Sequence, residues 1–310
     1  MTTEPALSFA AVRRTFGRTV ALDGLDLSVP PGTVLGLVGR NGAGKTTALR
    51  IALGDLWPDS GRVRVLGLDP VRQGLAVRER VALMADESHL YPSMTVDEIT
   101  WFAGRLHPRW DRRLAERLLD RLELPRRARI ETLSRGQRAR VALVLAVACR
   151  PELLLLDDPT SGLDPLARRE VLEGLLEAIL AEGHAVVWAS HLVQDLERIA
   201  ERIAIIDRGR VVLDEAVETL RERVHGVTAV FEGDAPAPET VPGRLRVRRD
   251  GHVLEAIADA PTSELVERLR AAGARSVDVR PLPLEEILVA RLGREAVPAD
   301  GTGARETAHA

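Results

Sequence analysis

A nearly continuous apolar stretch, Thr33-Val34-Leu35-Gly36-Leu37-Val38, runs straight into Gly39-Arg40-Asn41-Gly42-Ala43-Gly44-Lys45-Thr46. A helical pattern from Thr46 to Leu53 follows at once. A strand apolar on both sides has to be covered on both faces, which points to a parallel sheet with flanking helices. The glycine run fits the phosphate-loop pattern GxxxxGK[ST], and strand, loop and helix together give that pattern its structural context. Backbone amides from Gly42 to Thr46 are then expected to form an anion-binding nest at a helix N-terminus. Lys45 is the only lysine among 43 Lys plus Arg residues. A compact ammonium fits among those amides and reaches phosphate oxygens, where a planar guanidinium would crowd them.

The remaining bounds are broad. At 310 residues, 45% hydrophobic and 29% charged, the chain is expected to hold one large domain and a smaller one. A net charge of −3 gives no global attraction to nucleic acid or anionic lipid, and no nucleic-acid partner is expected. Cys149 is the single cysteine, so an internal disulfide and a multi-cysteine metal site are excluded, as suits a reducing compartment. No run approaches the ~20 apolar residues of a membrane span. Met1-Thr2-Thr3-Glu4-Pro5 lacks the basic and apolar parts of a signal peptide. A cytoplasmic protein with no direct membrane span is the expectation.

Along the chain, Leu7–Val12 and the alternating Leu25–Val29 read as strands before the Pro30-Pro31-Gly32 turn. Residues 95–130 read as helical and arginine-rich. Leu153–Leu156 and Ala185–Ala189 read as further buried strands, separated by an amphipathic helix over 165–181. Ile203–Ile206 and Arg210–Leu213 flank Asp207-Arg208-Gly209 as a hairpin. After about residue 225 the texture changes. A linker-like stretch over 234–239 is followed by a hairpin around Asp250-Gly251, a helix over 262–272 ending at Gly273, a strand at 276–279 and a helix at 284–292. The small, polar tail from 294 is expected to be disordered.

Three further segments carry chemistry. Leu153–Leu156 ends in Asp157-Asp158, at the strand edge where open α/β sheets bind ligands. Leu133-Ser134-Arg135-Gly136-Gln137 opens a helix, with Ser134 as N-cap and Gln137 at the third position of a capping box. On these residues the chain resembles the ABC ATPase family, whose signature is LSGGQ. The order of the remaining motifs is also the family's: Ser161-Gly162-Leu163-Asp164 as the D-loop, His191 after the 185–190 strand as the switch histidine, and Phe16 at the adenine-stacking position. The resemblance covers roughly residues 5–220.

The resemblance implies an α/β phosphate-loop NTPase of the ABC ATPase fold, with an antiparallel β subdomain and a helical subdomain over about 95–150. The ATPase domain spans 5–224, and a small α+β accessory domain follows at 225–293. It implies ATP and Mg²⁺ as ligands. Phe16 and residues Gly39, Arg40, Asn41, Gly42, Ala43, Gly44, Lys45, Thr46 and Thr47 are the expected nucleotide site, with Thr46 and Asp157 on Mg²⁺. Asp158 and His191 act with Lys45 in hydrolysis. Ser134, Arg135, Gly136 and Gln137 act in trans, across a homo- or heterodimer in which the signature of one subunit closes over the phosphates of the other; Asp164 belongs to that interface. A plain capping box, a core Phe16 and a helix-start His191 are the bland alternatives.

Three positions depart from the family's pattern. Asp158 stands where the family has glutamate, and its shorter side chain is expected to slow hydrolysis. Asp86, in Met84-Ala85-Asp86-Glu87, falls where the family has a Mg²⁺-binding glutamine; a carboxylate keeps that metal role possible, while an acidic turn is the alternative. Arg135 replaces a signature glycine, pointing either to solvent or toward the phosphates. Tyr91–Glu98 and His107–Asp111 are most similar to ATPase subunits of bacterial exporters whose permease is a separate chain. Trp101, Phe102 and Trp110 either meet that permease or pack the subdomain. The leading reading is thus a transport ATPase at the inner membrane face. A soluble, non-transport ABC ATPase and a hydrolysis-poor nucleotide switch are the alternatives.

Overall fold

The computed structural model describes residues 4–85, 90–182 and 184–292. Asp86 and the tail from 294 lie outside the described residues. The chain divides into two compact units between Thr219 and Leu220.

In the first unit, β1 (Leu7–Phe16) and β2 (Thr19–Val29) form an antiparallel pair, and β3 (Val34–Val38) is buried along its whole length. After α1 (Lys45–Ala52), β4 (Ser60–Val65) pairs with β1, completing an antiparallel sheet of order β2-β1-β4. α2 (Gly74–Arg78) and β5 (Val81–Met84) follow. Next comes the helical subdomain, α3 (Val96–Leu106), α4 (Arg112–Arg121) and α5 (Arg135–Ala148). The expected helical run over 95–130 is broken: Thr95 and Asp111 cap α3 and α4 with side-chain oxygens, and α4 stops at Arg121.

β6 (Leu153–Asp157), α6 (Pro165–Glu182) and β7 (Ala185–Ser190) lead to the short α7 (Val193–Leu196). The hairpin β8 (Arg202–Asp207) and β9 (Arg210–Ala216) then passes into α8 (Val217–Arg223). The central sheet has the order β5-β6-β7-β3-β8-β9, parallel except for the β8–β9 edge pair. Every residue of β3, β6 and β7 is buried, which is why these three read as unbroken apolar runs. One apolar cluster joins both sheets to α1 through Leu7, Leu22, Leu35, Leu49, Ile51 and Leu153.

Glu152, just before β6, anchors the subdomain's connections. It takes two hydrogen bonds from Arg80, at 2.9 and 2.7 Å, and pairs with Arg109 between α3 and α4. Those guanidinium groups, Arg80 first, hold its carboxyl down to about 2.

The second unit is built from β10 (Val224–Phe231), β11 (Arg244–Asp250), β12 (Val253–Asp259), α9 (Thr262–Ala271), β13 (Ala274–Pro281) and α10 (Leu284–Leu292). Its four strands form an antiparallel sheet of order β11-β12-β10-β13. Val227, Ala229, Leu254, Ala256, Leu265 and Leu269 form a separate apolar core.

Candidate nucleotide-binding site

Three neighbouring parallel strands deliver the site. β6, β7 and β3 lie side by side, and their carboxyl ends carry Asp157, Ser190 and the Gly39–Gly44 loop. This is the sheet edge where the sequence pattern placed the ligand.

The loop wraps around the lysine. Lys45 is only 5% exposed, and its Nζ donates to the carbonyl of Gly39 at 2.7 Å and of Arg40 at 3.3 Å. The turn closes through Ala43 N–H to the Arg40 carbonyl at 3.1 Å. Gly44 takes φ 112° as the N-cap of α1, and a Cβ there would lie 2.5 Å from the carbonyl oxygen of Ala21. Only glycine fits that position, and its conformation turns the loop into the helix. Asn41, Gly42 and Thr46 are exposed and Thr47 half-buried, so the outer rim of the loop is open to a ligand. Burial lowers the Lys45 pKa below its ordinary value, and Asp158 and then Asp157 act against that shift. Both carboxylates are therefore electrostatic neighbours of the ammonium.

Asp157 is buried at the end of β6. Asp158 turns the chain sharply: its φ is 46°, the left-handed region, and its N–H donates to the Ala189 carbonyl at 2.9 Å. Its Oδ1 accepts the His191 N–H at 3.1 Å and lies 2.8 Å from His191 Nδ1. The structure thus joins Asp158 and His191 in one hydrogen-bonded pair, an association the sequence did not disclose.

Phe16 ends β1 with 44% exposure, so it is not a core residue; the Arg14 guanidinium lies 4.8 Å from its ring centre. Ser134 caps α5: its Oγ accepts the Gln137 N–H at 3.1 Å, and Gln137 Oε1 accepts the Ser134 N–H at 3.0 Å. Gly136 is buried behind this cap. These residues are not delivered by the strand ends that gather Lys45, Asp158 and His191. Arg135 is exposed, in line with the solvent-facing expectation, but it also packs along the chain. Its guanidinium lies across Gly162, where a Cβ would be 2.0 Å from Nη1, and Gly162 has φ 63°. Asp164 caps α6, accepting N–H groups of Leu166 and Ala167 at 3.0 Å each.

A second polar cluster went unread. Thr160, Arg168 and the buried Asp195 are joined by short hydrogen bonds beside the Asp158–His191 pair. Asp195 sits in an ordinary helical stretch, and no motif marks it.

The strand order and the lysine cradle define a phosphate-loop nucleotide-binding protein. Comparison with known proteins narrows this further. The ABC transporter family matches residues 22–161. The chain is 33% identical over 302 residues to Nod factor export ATP-binding protein I of Paraburkholderia xenovorans (strain LB400), covering 94% of this chain and 98% of that protein. It is 36% identical over 228 residues to daunorubicin resistance ATP-binding protein DrrA3 of Streptomyces coeruleorubidus, 72% of each chain. Among solved structures, a dimeric bacterial ABC transporter cassette superposes with a TM-score of 0.61 at 25% identity, over 68% of this chain and 98% of that one. The chain belongs to the ABC transporter family, as an ATP-binding and ATP-hydrolysing subunit.

Proposed function

We propose that this subunit powers export through a separate permease, binding ATP between two ATPase subunits. The observation that carries the reading is the convergence of Lys45, the Asp157-Asp158 pair and His191 at the ends of adjacent parallel strands. The phosphates lie over the Gly39–Gly44 loop, with Lys45 leaving its carbonyl partners for β- and γ-phosphate oxygens. Phe16, exposed at the end of β1, is the platform for the adenine.

Mg²⁺ suits the donors present. Thr46 and Asp157 offer hard oxygen atoms, the ligand type Mg²⁺ takes, and phosphates and waters complete such a site. Among the described residues no group of three or more His, Cys, Asp or Glu is placed to hold a metal. Asp86, the other proposed ligand, lies outside the described residues. When held there, Mg²⁺ would offset phosphate charge. Asp158 accepts the proton of the attacking water, and His191, tied to Asp158 Oδ1, orients that carboxylate beside the γ-phosphate.

Ser134, Gly136 and Gln137 present the N-terminus of α5 to the second subunit's γ-phosphate, and Asp164 lies in the same interface. The dimeric cassette to which the chain is similar supports pairing. Homodimer and heterodimer are both compatible with it. Export rests on the relatives' functions in Nod factor export and daunorubicin resistance. We place the subunit at the cytoplasmic face, held there by its permease; no helix among the described residues is long and apolar enough to cross a membrane. Trp101 on α3 is 64% exposed and borders a groove of about 450 Å³ with Thr100, Trp110 and Leu119. Trp101 therefore marks a contact for the permease, whereas Phe102 and Trp110 are half-buried and pack the subdomain.

The experiment is ATP binding by Lys45→Ala. A charge-assisted hydrogen bond contributes about 1.5–3 kcal/mol, so affinity should fall about 10- to 100-fold. Undiminished Mg-ATP binding, by calorimetry, would remove the site from this loop.

A further inference from the structure

We infer that Asp195 and Thr160 form a buried clamp that positions Asp158 for hydrolysis. The inference rests on the proposed role of Asp158 and concerns residues outside all the family motifs named above.

Asp195 is 3% exposed, and Thr160 likewise. Thr160 Oγ1 donates to Asp195 Oδ2 at 2.6 Å, while Arg168 Nε donates to Oδ1 at 2.7 Å. Arg168 Nη2 lies 2.6 Å from the same Oδ1. One buried carboxylate thereby joins three segments: the loop after β6, the first turns of α6, and α7. A buried carboxylate is costly unless charge and hydrogen bonds compensate it, and here a guanidinium and a hydroxyl supply both.

The placement matters because of what lies beside it. Thr160 is two residues after Asp158, and Asp195 is four after His191. The loop beginning at Asp158 and the stretch running from the end of β7 into α7 are stitched together at two points. The first is Asp158 with Ala189 and His191. The second is Thr160 with Asp195. Asp158 holds a left-handed φ of 46°. Such a conformation persists in a non-glycine residue only where surrounding bonds over-determine it. Removing the second stitch leaves the loop fixed at one end, free to carry the Asp158 carboxylate off its position. The Lys45 cradle belongs to β3 and α1 and keeps its own bonds. The clamp should therefore act on kcat and leave the KM for ATP almost unchanged.

The test compares steady-state ATPase rates of the full chain carrying Thr160→Val, Thr160→Ser and Asp195→Asn. Valine keeps the shape of threonine and loses the donor; serine keeps the donor. Displacements of about 1 Å can cost about 100-fold in rate, so Thr160→Val should lower kcat by roughly 10- to 100-fold. Its KM should stay within about twofold, the mark of an interaction used only in the chemical step. Thr160→Ser should recover most of the rate. In Asp195→Asn an NH₂ replaces one of the two acceptor oxygens and the charge facing Arg168 is lost, so kcat should fall with the same split. Parental kcat in Thr160→Val, or equal losses in the valine and serine variants, overturns the clamp while leaving the nucleotide site standing. A parental rate that survives Lys45→Ala overturns the site reading, and the clamp with it.

Discussion

At the scale of single residues, the decisive contact is Asp158 Oδ1 with both the backbone N–H and Nδ1 of His191. Both bonds draw one oxygen back toward β7. A side chain one methylene shorter than glutamate then has little reach left for a water over the phosphate, and general-base catalysis requires roughly 2.6–3.2 Å. Asp158→Glu should accordingly raise kcat, by about tenfold or more given the ~10²–10⁴-fold scale of such catalysis. Single-turnover hydrolysis of bound ATP measures it directly, and an unchanged or lower rate would show that Asp158 already reaches the water. Lys45 was legible from sequence because its neighbours in the chain are also its neighbours in space. Asp158–His191 and Thr160–Asp195 were not. Each spans more than thirty residues and depends on which strand lies beside which, and the residue types alone do not specify that order.

Among the elements, legibility followed burial. β3, β6 and β7 announce themselves because both faces are covered, so each is apolar up to the polar residue at its carboxyl end, Asp157 in β6 and Ser190 in β7. β4, Ser60-Gly-Arg-Val-Arg-Val65, begins with three exposed residues and was missed; β5 is only four residues long. β10 carries Gly226 and His225 inside it and sits where the composition changes, which masked it as a strand. The start of α5 was read correctly as a capping box, and that geometry separates two roles for Ser134. As a cap alone, Ser134→Ala should cost about 1 kcal/mol of stability. As a γ-phosphate donor in the partner's site, it should also lower ATPase turnover about tenfold or more. Urea denaturation beside ATPase assays distinguishes these. A shifted midpoint with normal turnover would leave only the cap.

For the whole molecule, the question is how much of the chain the ATPase needs. Every residue assigned to nucleotide binding or hydrolysis, from Phe16 to His191, precedes the division at Thr219 and Leu220. The segment beyond it has its own four-stranded sheet and its own apolar core around Val227, Leu254 and Leu265. The Asp259 carboxylate, near the end of β12, gathers Arg223, by two bonds of 3.0 and 2.8 Å, and Arg291, at 2.6 Å, within that same unit. A unit with a separate core is able to fold alone. A chain ended after Thr219 loses the second half of α8 but keeps the central sheet, the Lys45 cradle and the Thr160–Asp195 clamp. It should remain soluble, unfold cooperatively and bind ATP within about threefold of the full chain, a difference under about 1 kcal/mol. Calorimetric titration with ATP beside thermal unfolding tests this. Loss of nucleotide binding, or of a cooperative transition, would mean that the accessory unit completes the ATPase fold and does not merely accompany it.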